Sequence, residues 1–221
     1  MTRIAVIDYG SGNLASVARA LSSLGARFVV TSDPAEIRAA DALILPGQGA
    51  FRDCMTNLEG RGLDAAIREA LAAGKPYLGI CLGLQILFER SDEFGTTAGL
   101  GFLPGRVRRF EGPWFDGRPP ELKVPHMGWT KIDKRAAHPV FDGIESGAYF
   151  YFVHSFFCEA DEPGDIVASA THGLTYTAAA ARGRVVGVQF HPEKSQAAGR
   201  RLLGNFLQFA SGDERVFHSG D

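Results

Sequence analysis

The chain has 221 residues, a formal net charge of −2, and 45% hydrophobic and 22% charged residues, the balance of an ordinary soluble globular protein. No apolar run approaches the roughly 20 residues that a bilayer span needs, and the basic residues are scattered apart from a short cluster over 106–109. These features argue against a membrane span and against a nucleic-acid-binding face. Cys54, Cys81 and Cys158 are too few and too widely spaced for a disulfide framework or CxxC metal spacing, and the six histidines form no ligand cluster. No metal and no other cofactor is expected. With no leader pattern at the start of the chain, a reducing cytoplasm is the expected compartment.

The first half alternates short β-branched runs with helical patterns: strand over 4–7, helix over 13–24, strand over 28–31, helix over 34–39, strand over 42–45, helices over 50–58 and 63–73, strand over 77–80, helix over 82–90. This is the pattern of βαβ units on a parallel sheet whose strands are covered on both faces. From about 99 to 177 it gives way to short strands, including 106–110, 149–157 and 166–170, separated by Gly- and Pro-rich turns, which predicts a mixed or antiparallel extension. A last apolar run over 185–190 precedes a helix over about 197–210. The expected architecture is one α/β domain over 1–210, an open, mixed but mainly parallel sheet with helices on both faces, followed by a polar tail over 211–221.

Cys81 lies in Gly79-Ile80-Cys81-Leu82-Gly83, at a predicted strand-to-helix bend. The G-x-nucleophile-x-G spacing lets a strained turn lift a nucleophile above a sheet, and a helix N-terminus favours thiolate. By itself this leaves Cys81 open between a nucleophile and a small buried hydrophobe. Gln189-Phe190-His191-Pro192-Glu193 ends the last apolar strand; in an extended segment His191 and Glu193 project to one side, so Glu193 could orient the imidazole as a base for Cys81. Taken alone, both also read as strand-end and solvated-loop residues. The Gly-rich turn 46–50 follows another strand and could supply an oxyanion amide with that of Leu82, or be a tight turn and nothing more.

Residues 79–85, Gly-Ile-Cys-Leu-Gly-Leu-Gln, together with the distant His191-Pro192-Glu193, resemble the class I, triad-type, glutamine amidotransferases. Segments 8–14, 46–51, 123–129, 151–155 and 187–195 are similar, within that family, to glutaminase subunits that feed a cyclase of histidine biosynthesis; only the tail is left uncovered. The resemblance implies a flavodoxin-like fold and a glutaminase acting on L-glutamine. In it Cys81 forms a γ-glutamyl thioester, His191 shuttles the proton and Glu193 orients His191. It further implies that the amides of Gln48 and Leu82 bind the oxyanion, and that Gly49, Gln85, Ser155 and Phe156 hold glutamine. Asn13, His126, Trp129 and Lys194 would meet a (β/α)8 cyclase subunit in a heterodimer. Two departures are visible: Gln48 stands where many relatives carry Val, which leaves an amide role intact, and Thr130 stands where Asn is common, which touches only an interface contact.

Trp129 in a Gly- and Pro-rich segment also suits an interface anchor on physical grounds, with core filling as the alternative. An unassembled oxyanion turn predicts weak glutamine hydrolysis by the chain alone and activation by its partner. Three rival readings stand beside this one. Gly10-Ser11-Gly12-Asn13-Leu14-Ala15 fits G-x-G-x-x-[GA], with Asp33 as the acidic residue of a dinucleotide fingerprint. The chain could be a non-catalytic scaffold on this fold. The same chemistry could also serve another synthase, such as that of pyridoxal phosphate, whose glutaminase lacks a segment like 125–129.

Overall fold

A computed structural model describes residues 2–117 and 121–212. In chain order it contains β1 (Ile4–Ile7), α1 (Leu14–Ser23), β2 (Phe28–Thr31), α2 (Pro34–Ala39), β3 (Ala42–Gly47), α3 (Phe51–Gly60), α4 (Leu63–Ala72), β4 (Tyr77–Cys81) and α5 (Leu82–Gln85). There follow β5 (Phe88–Ser91), β6 (Thr97–Ala98), β7 (Leu103–Arg109), β8 (His126–Lys131), β9 (Asp133–Lys134), β10 (Tyr149–His154), β11 (Phe156–Ala160), β12 (Ile166–His172), β13 (Leu174–Arg182), β14 (Val185–Val188) and α6 (Gln196–Ser211).

Strands β2-β1-β3-β4-β14 run parallel, and β13, β11, β7, β5 and β6 extend the sheet in mixed orientation. Alternation along each central strand explains the layering. Ile4 and Val6 of β1, with Ala42 and Ile44 of β3, pack on the side of α1 and α6, against Val17, Leu21, Leu203 and Phe206. Ala5, Ile7, Leu43 and Leu45 face the opposite side, against Ile37, Met55, Leu58 and Ile67 of α2, α3 and α4. Each strand is therefore apolar throughout because both of its faces are covered. A separate antiparallel pair, β8 with β10, sets His126 opposite His154 and Trp129 opposite Tyr151.

The α/β sheet, mainly parallel and then mixed, is as the sequence predicts, with differences in several elements. The helix expected over 82–90 stops after one turn; Phe88 instead enters β5 and pairs with Leu103 of β7, so strand pairing wins over helical periodicity. The run 149–157 breaks at Ser155 into β10 and β11, which join different sheets. Strands β8 and most of β13 were not anticipated, being polar and Ala-rich respectively. Helix α6 takes in Ser211, the first residue of the expected tail, and residues 213–221 of that tail lie outside the described residues.

Candidate active site

Three neighbouring parallel strands end at one edge of the sheet, where open α/β folds hold their ligands. Gly47 pairs with Cys81 across β3 and β4, and Val188 pairs with Ile80 across β14 and β4, so Gln48, Cys81 and Gln189 leave the sheet side by side. Cys81 sits at φ 55° and ψ −106°, a left-handed conformation that a non-glycine residue adopts only under strain. The flanking glycines permit this bend: a Cβ on Gly79 would come within 2.2 Å of the Gly83 carbonyl oxygen, and one on Gly83 within 1.9 Å of that of Leu45. Cys81 is 7% exposed and lines a cleft of about 540 Å³. Because α5 has four residues, the helix-dipole support expected for a thiolate comes from a single turn.

His191 and Glu193 are paired by a tight 3-10 turn over Pro192–Lys194, where an extended strand was expected. Nδ1 of His191 lies 2.8 Å from Oε1 of Glu193, and both side chains are withdrawn from water. Backbone bonds anchor the turn: His191 N donates to Tyr151 O (2.9 Å), while Ser195 Oγ donates to His191 O (2.6 Å) and accepts from Tyr151 N (3.0 Å). Burial by itself pushes the imidazole pKa down, but contact with Cys81 and Glu193 outweighs it and brings the value up from 6.5 to about 10. Nε2, the ring nitrogen that Glu193 leaves open, makes no hydrogen bond of acceptable geometry among the described residues. The Cys81 sulfur is thus near enough to raise the ring's pKa, while Nε2 holds no closed hydrogen bond.

Gln48, Gly49, Leu82, Gln85, Ser155 and Phe156 all line the cleft with Cys81 and His191. The Gln48 amide, expected to face an oxyanion, is engaged elsewhere: it donates to Tyr9 Oη (3.1 Å), and Tyr9 Oη (3.1 Å) and Ser11 Oγ (3.3 Å) both donate to Gln48 O. The side-chain nitrogen of Gln85 donates inward, to Phe156 O (3.0 Å) and Gln189 Oε1 (3.1 Å). Two residues at the site escaped the sequence reading, Glu93 in the cleft lining and Gln189 buried behind Cys81. Glu93 accepts from Phe51 N (2.6 Å), and withdrawal from water raises its pKa despite that bond. Gln189 donates to Cys81 Sγ at 3.6 Å. Neither stands out in sequence, Glu93 being one of three acidic residues over 89–93 and Gln189 lying inside an apolar run.

The four expected partner-facing residues divide. Trp129 is 45% exposed and packs edge-on to Tyr151 (6.1 Å), and the Lys194 ammonium stands over the same ring at 5.8 Å. Met127 and Tyr149 are exposed nearby. Asn13, at the start of α1, is partly exposed and makes no side-chain capping bond. His126, by contrast, is 4% exposed, stacks on His172 (4.2 Å) and bonds Thr130 Oγ1 (2.8 Å). Along β8 alternate side chains face opposite ways, so Met127 and Trp129 point out where His126 points in. Burial, with a smaller contribution from His172, lowers its pKa to about 4.

The loop that matches a dinucleotide fingerprint lies beside the Pro46 carbonyl, and Asp33, its would-be ribose ligand, caps α2 by accepting from Ala35 N (2.8 Å). Among the described residues no three His, Cys, Asp or Glu side chains are grouped to hold a metal ion, and no helix is long and apolar enough to cross a membrane.

A family model for class-I glutamine amidotransferases matches residues 5–209. The imidazole glycerol phosphate synthase subunit HisH of Methylococcus capsulatus is 49% identical over 212 residues, covering 95% of this chain and 97% of that protein. The same subunit of Thiobacillus denitrificans is 51% identical over 214 residues, 95% of this chain and 92% of that one. Among solved structures, a glutamine amidotransferase superposes with a TM-score of 0.71 at 20% identity, over 94% of this chain and 98% of its own. A family match over nearly the whole length, together with relatives at about half identity, makes this chain a member of the class-I glutamine amidotransferases, in the HisH branch.

Proposed function

We propose that the chain is the glutaminase subunit of an imidazole glycerol phosphate synthase, in which Cys81, His191 and Glu193 release ammonia from L-glutamine. The observation that carries this reading is the buried His191–Glu193 pair beside a strained thiol at the end of a parallel sheet. With its pKa near 10 the His191 ring already carries the Cys81 proton on Nε2, and the sulfur attacks the γ-carboxamide carbon as the thiolate. The same nitrogen then protonates the leaving amine, so that the C–N bond breaks to give ammonia and a γ-glutamyl thioester. Water, deprotonated by His191, hydrolyses the thioester to glutamate and frees the sulfur.

The amides of Leu82 and Gln48 are the proposed oxyanion donors, with Gly49, Gln85, Ser155 and Phe156 holding glutamine. Since Gln48 N–H is donated to Tyr9, that peptide must turn before the second donor is available, which supports low activity without a partner. The partner is the (β/α)8 cyclase subunit HisF, bound as a heterodimer. It joins the ammonia to a ribulosyl intermediate, giving imidazole glycerol phosphate and an aminoimidazole carboxamide ribotide in histidine biosynthesis. Trp129, Lys194 and Asn13 form the docking face, with His126 bracing it from behind. The catalytic unit is residues 1–210, working in the cytoplasm. Co-purification with the cyclase subunit followed by a glutamine-dependent synthesis assay tests the reading; a complex that forms but uses only ammonium salts would end it.

A further inference from the structure

The side chain of Gln189 is fully buried at the end of β14, level with Cys81 in the parallel register. A buried primary amide is costly unless its donors and acceptor are matched, and here its orientation can be deduced. The Phe156 carbonyl can only accept, so the Gln85 atom 3.0 Å from it is the amide nitrogen. That nitrogen's second proton goes to Gln189, 3.1 Å away, which must therefore present its oxygen. The Cys158 thiol lies on the same oxygen at 3.9 Å. What remains of Gln189 is its NH2, and it faces the Cys81 sulfur at 3.6 Å.

We propose that Gln189 is a catalytic residue, donating its side-chain N–H to the Cys81 thiolate and holding that sulfur for attack, as part of the glutaminase reading of this site. An N–H bond to sulfur is weak when the sulfur is a neutral thiol and charge-assisted when it is a thiolate. Gln189 therefore discriminates between the two states in favour of the nucleophile. The bond weakens when the sulfur becomes a thioester, whose lone pair is less basic, and is restored as the C–S bond breaks and the thiolate leaves. It thus lowers both the ionisation step and the departure of sulfur, without touching glutamine. The need for such a donor follows from α5, whose single turn contributes little dipole. The Gln85–Phe156 anchor matters because it stops the Gln189 amide from flipping its oxygen toward the thiolate, which would repel it.

The test is the pH dependence of Cys81 alkylation by iodoacetamide, read by peptide mapping in the full chain, for wild type, Gln189→Met and Gln189→Glu. Methionine keeps the volume and removes the donor; glutamate keeps the acceptor for Gln85 and replaces NH2 by oxygen. Both variants should shift the alkylation profile upward by about one pH unit or more, and in the complex lower kcat roughly tenfold to a hundredfold with KM little changed. A Gln189→Met or Gln189→Glu chain of native-like circular dichroism whose profile overlays wild type overturns the proposal. If neither variant folds, the wild-type Gln189 side-chain amide resonances decide: they should move as Cys81 titrates, and indifference to that titration refutes the contact. Failure of the glutaminase reading is separately visible, as a wild-type Cys81 that a glutamine-mimicking electrophile never acylates.

Discussion

His191 and Glu193 meet at 2.8 Å across a single intervening proline, in a turn rather than a strand. The carboxylate fixes the ring and stabilises its charged form, so Glu193→Gln should keep the geometry and lose the charge. Glutamine-dependent turnover in the complex is expected to fall on the order of 10²- to 10⁴-fold. Synthesis from ammonium salt should be unchanged, and a variant that keeps full glutamine use would remove Glu193 from the mechanism.

The same pair has a signature in stability. The His191 pKa of about 10 in the folded chain lies above the unfolded value near 6.5, so folding favours the protonated ring. That contribution is complete below about pH 6.5 and is lost as pH rises through about 10. Thermal unfolding across this range should show wild type losing more stability toward high pH than His191→Asn. Parallel curves would contradict it.

Replacement of Cys81 by alanine should abolish glutamine-dependent synthesis while leaving synthesis from added ammonium salt, because the cyclase reaction needs only ammonia. Loss of both would mean that the cysteine has another job. The measurement is product formation by the complex with either nitrogen source.

Tyr9 brackets Gln48 with one hydroxyl that accepts from its N–H and donates to its carbonyl. Tyr9→Phe removes both bonds without changing the ring, and at about 0.5–1.5 kcal/mol per bond the peptide should turn more easily. Glutaminase turnover of the chain without its partner is then expected to rise, by roughly tenfold. A fall, or no change, would show that this hydroxyl does not hold the turn.

Trp129 and His126 are three residues apart and should fail differently. Trp129→Ala removes an exposed anchor, so the partner should bind more weakly by about 2 kcal/mol or more, with chain stability within about 0.5 kcal/mol of wild type. His126→Ala empties a buried, hydrogen-bonded position and should lower the melting temperature of the chain alone. Calorimetry of the binding and of unfolding separates the two, and the reverse pattern would exchange their roles.

Much of this was legible from local order. Short continuous apolar runs and helical periodicity identified β1 to β4 and α1 to α4, because a fully covered strand must be apolar on both faces and each helix on one. The Gly79-Ile80-Cys81-Leu82-Gly83 spacing predicted the bend, since no side chain fits where Gly83 passes Leu45. The helix assigned to 82–90 failed for the opposite reason: its sequence suits a helix, and the pairing of Phe88 with Leu103 takes the chain elsewhere.

Sequence by itself determined the type of sheet and the residues able to form a cysteine–histidine–carboxylate set, while the turn that brings His191 onto Glu193 came with the structure. Only the tertiary structure decided that Gln189 faces the Cys81 sulfur, that Tyr9 claims the Gln48 amide and that His126 turns inward while Trp129 turns out. Periodicity records how each segment divides between core and water. Contacts between segments far apart in the chain depend on strand order and register, which follow from packing all the elements at once.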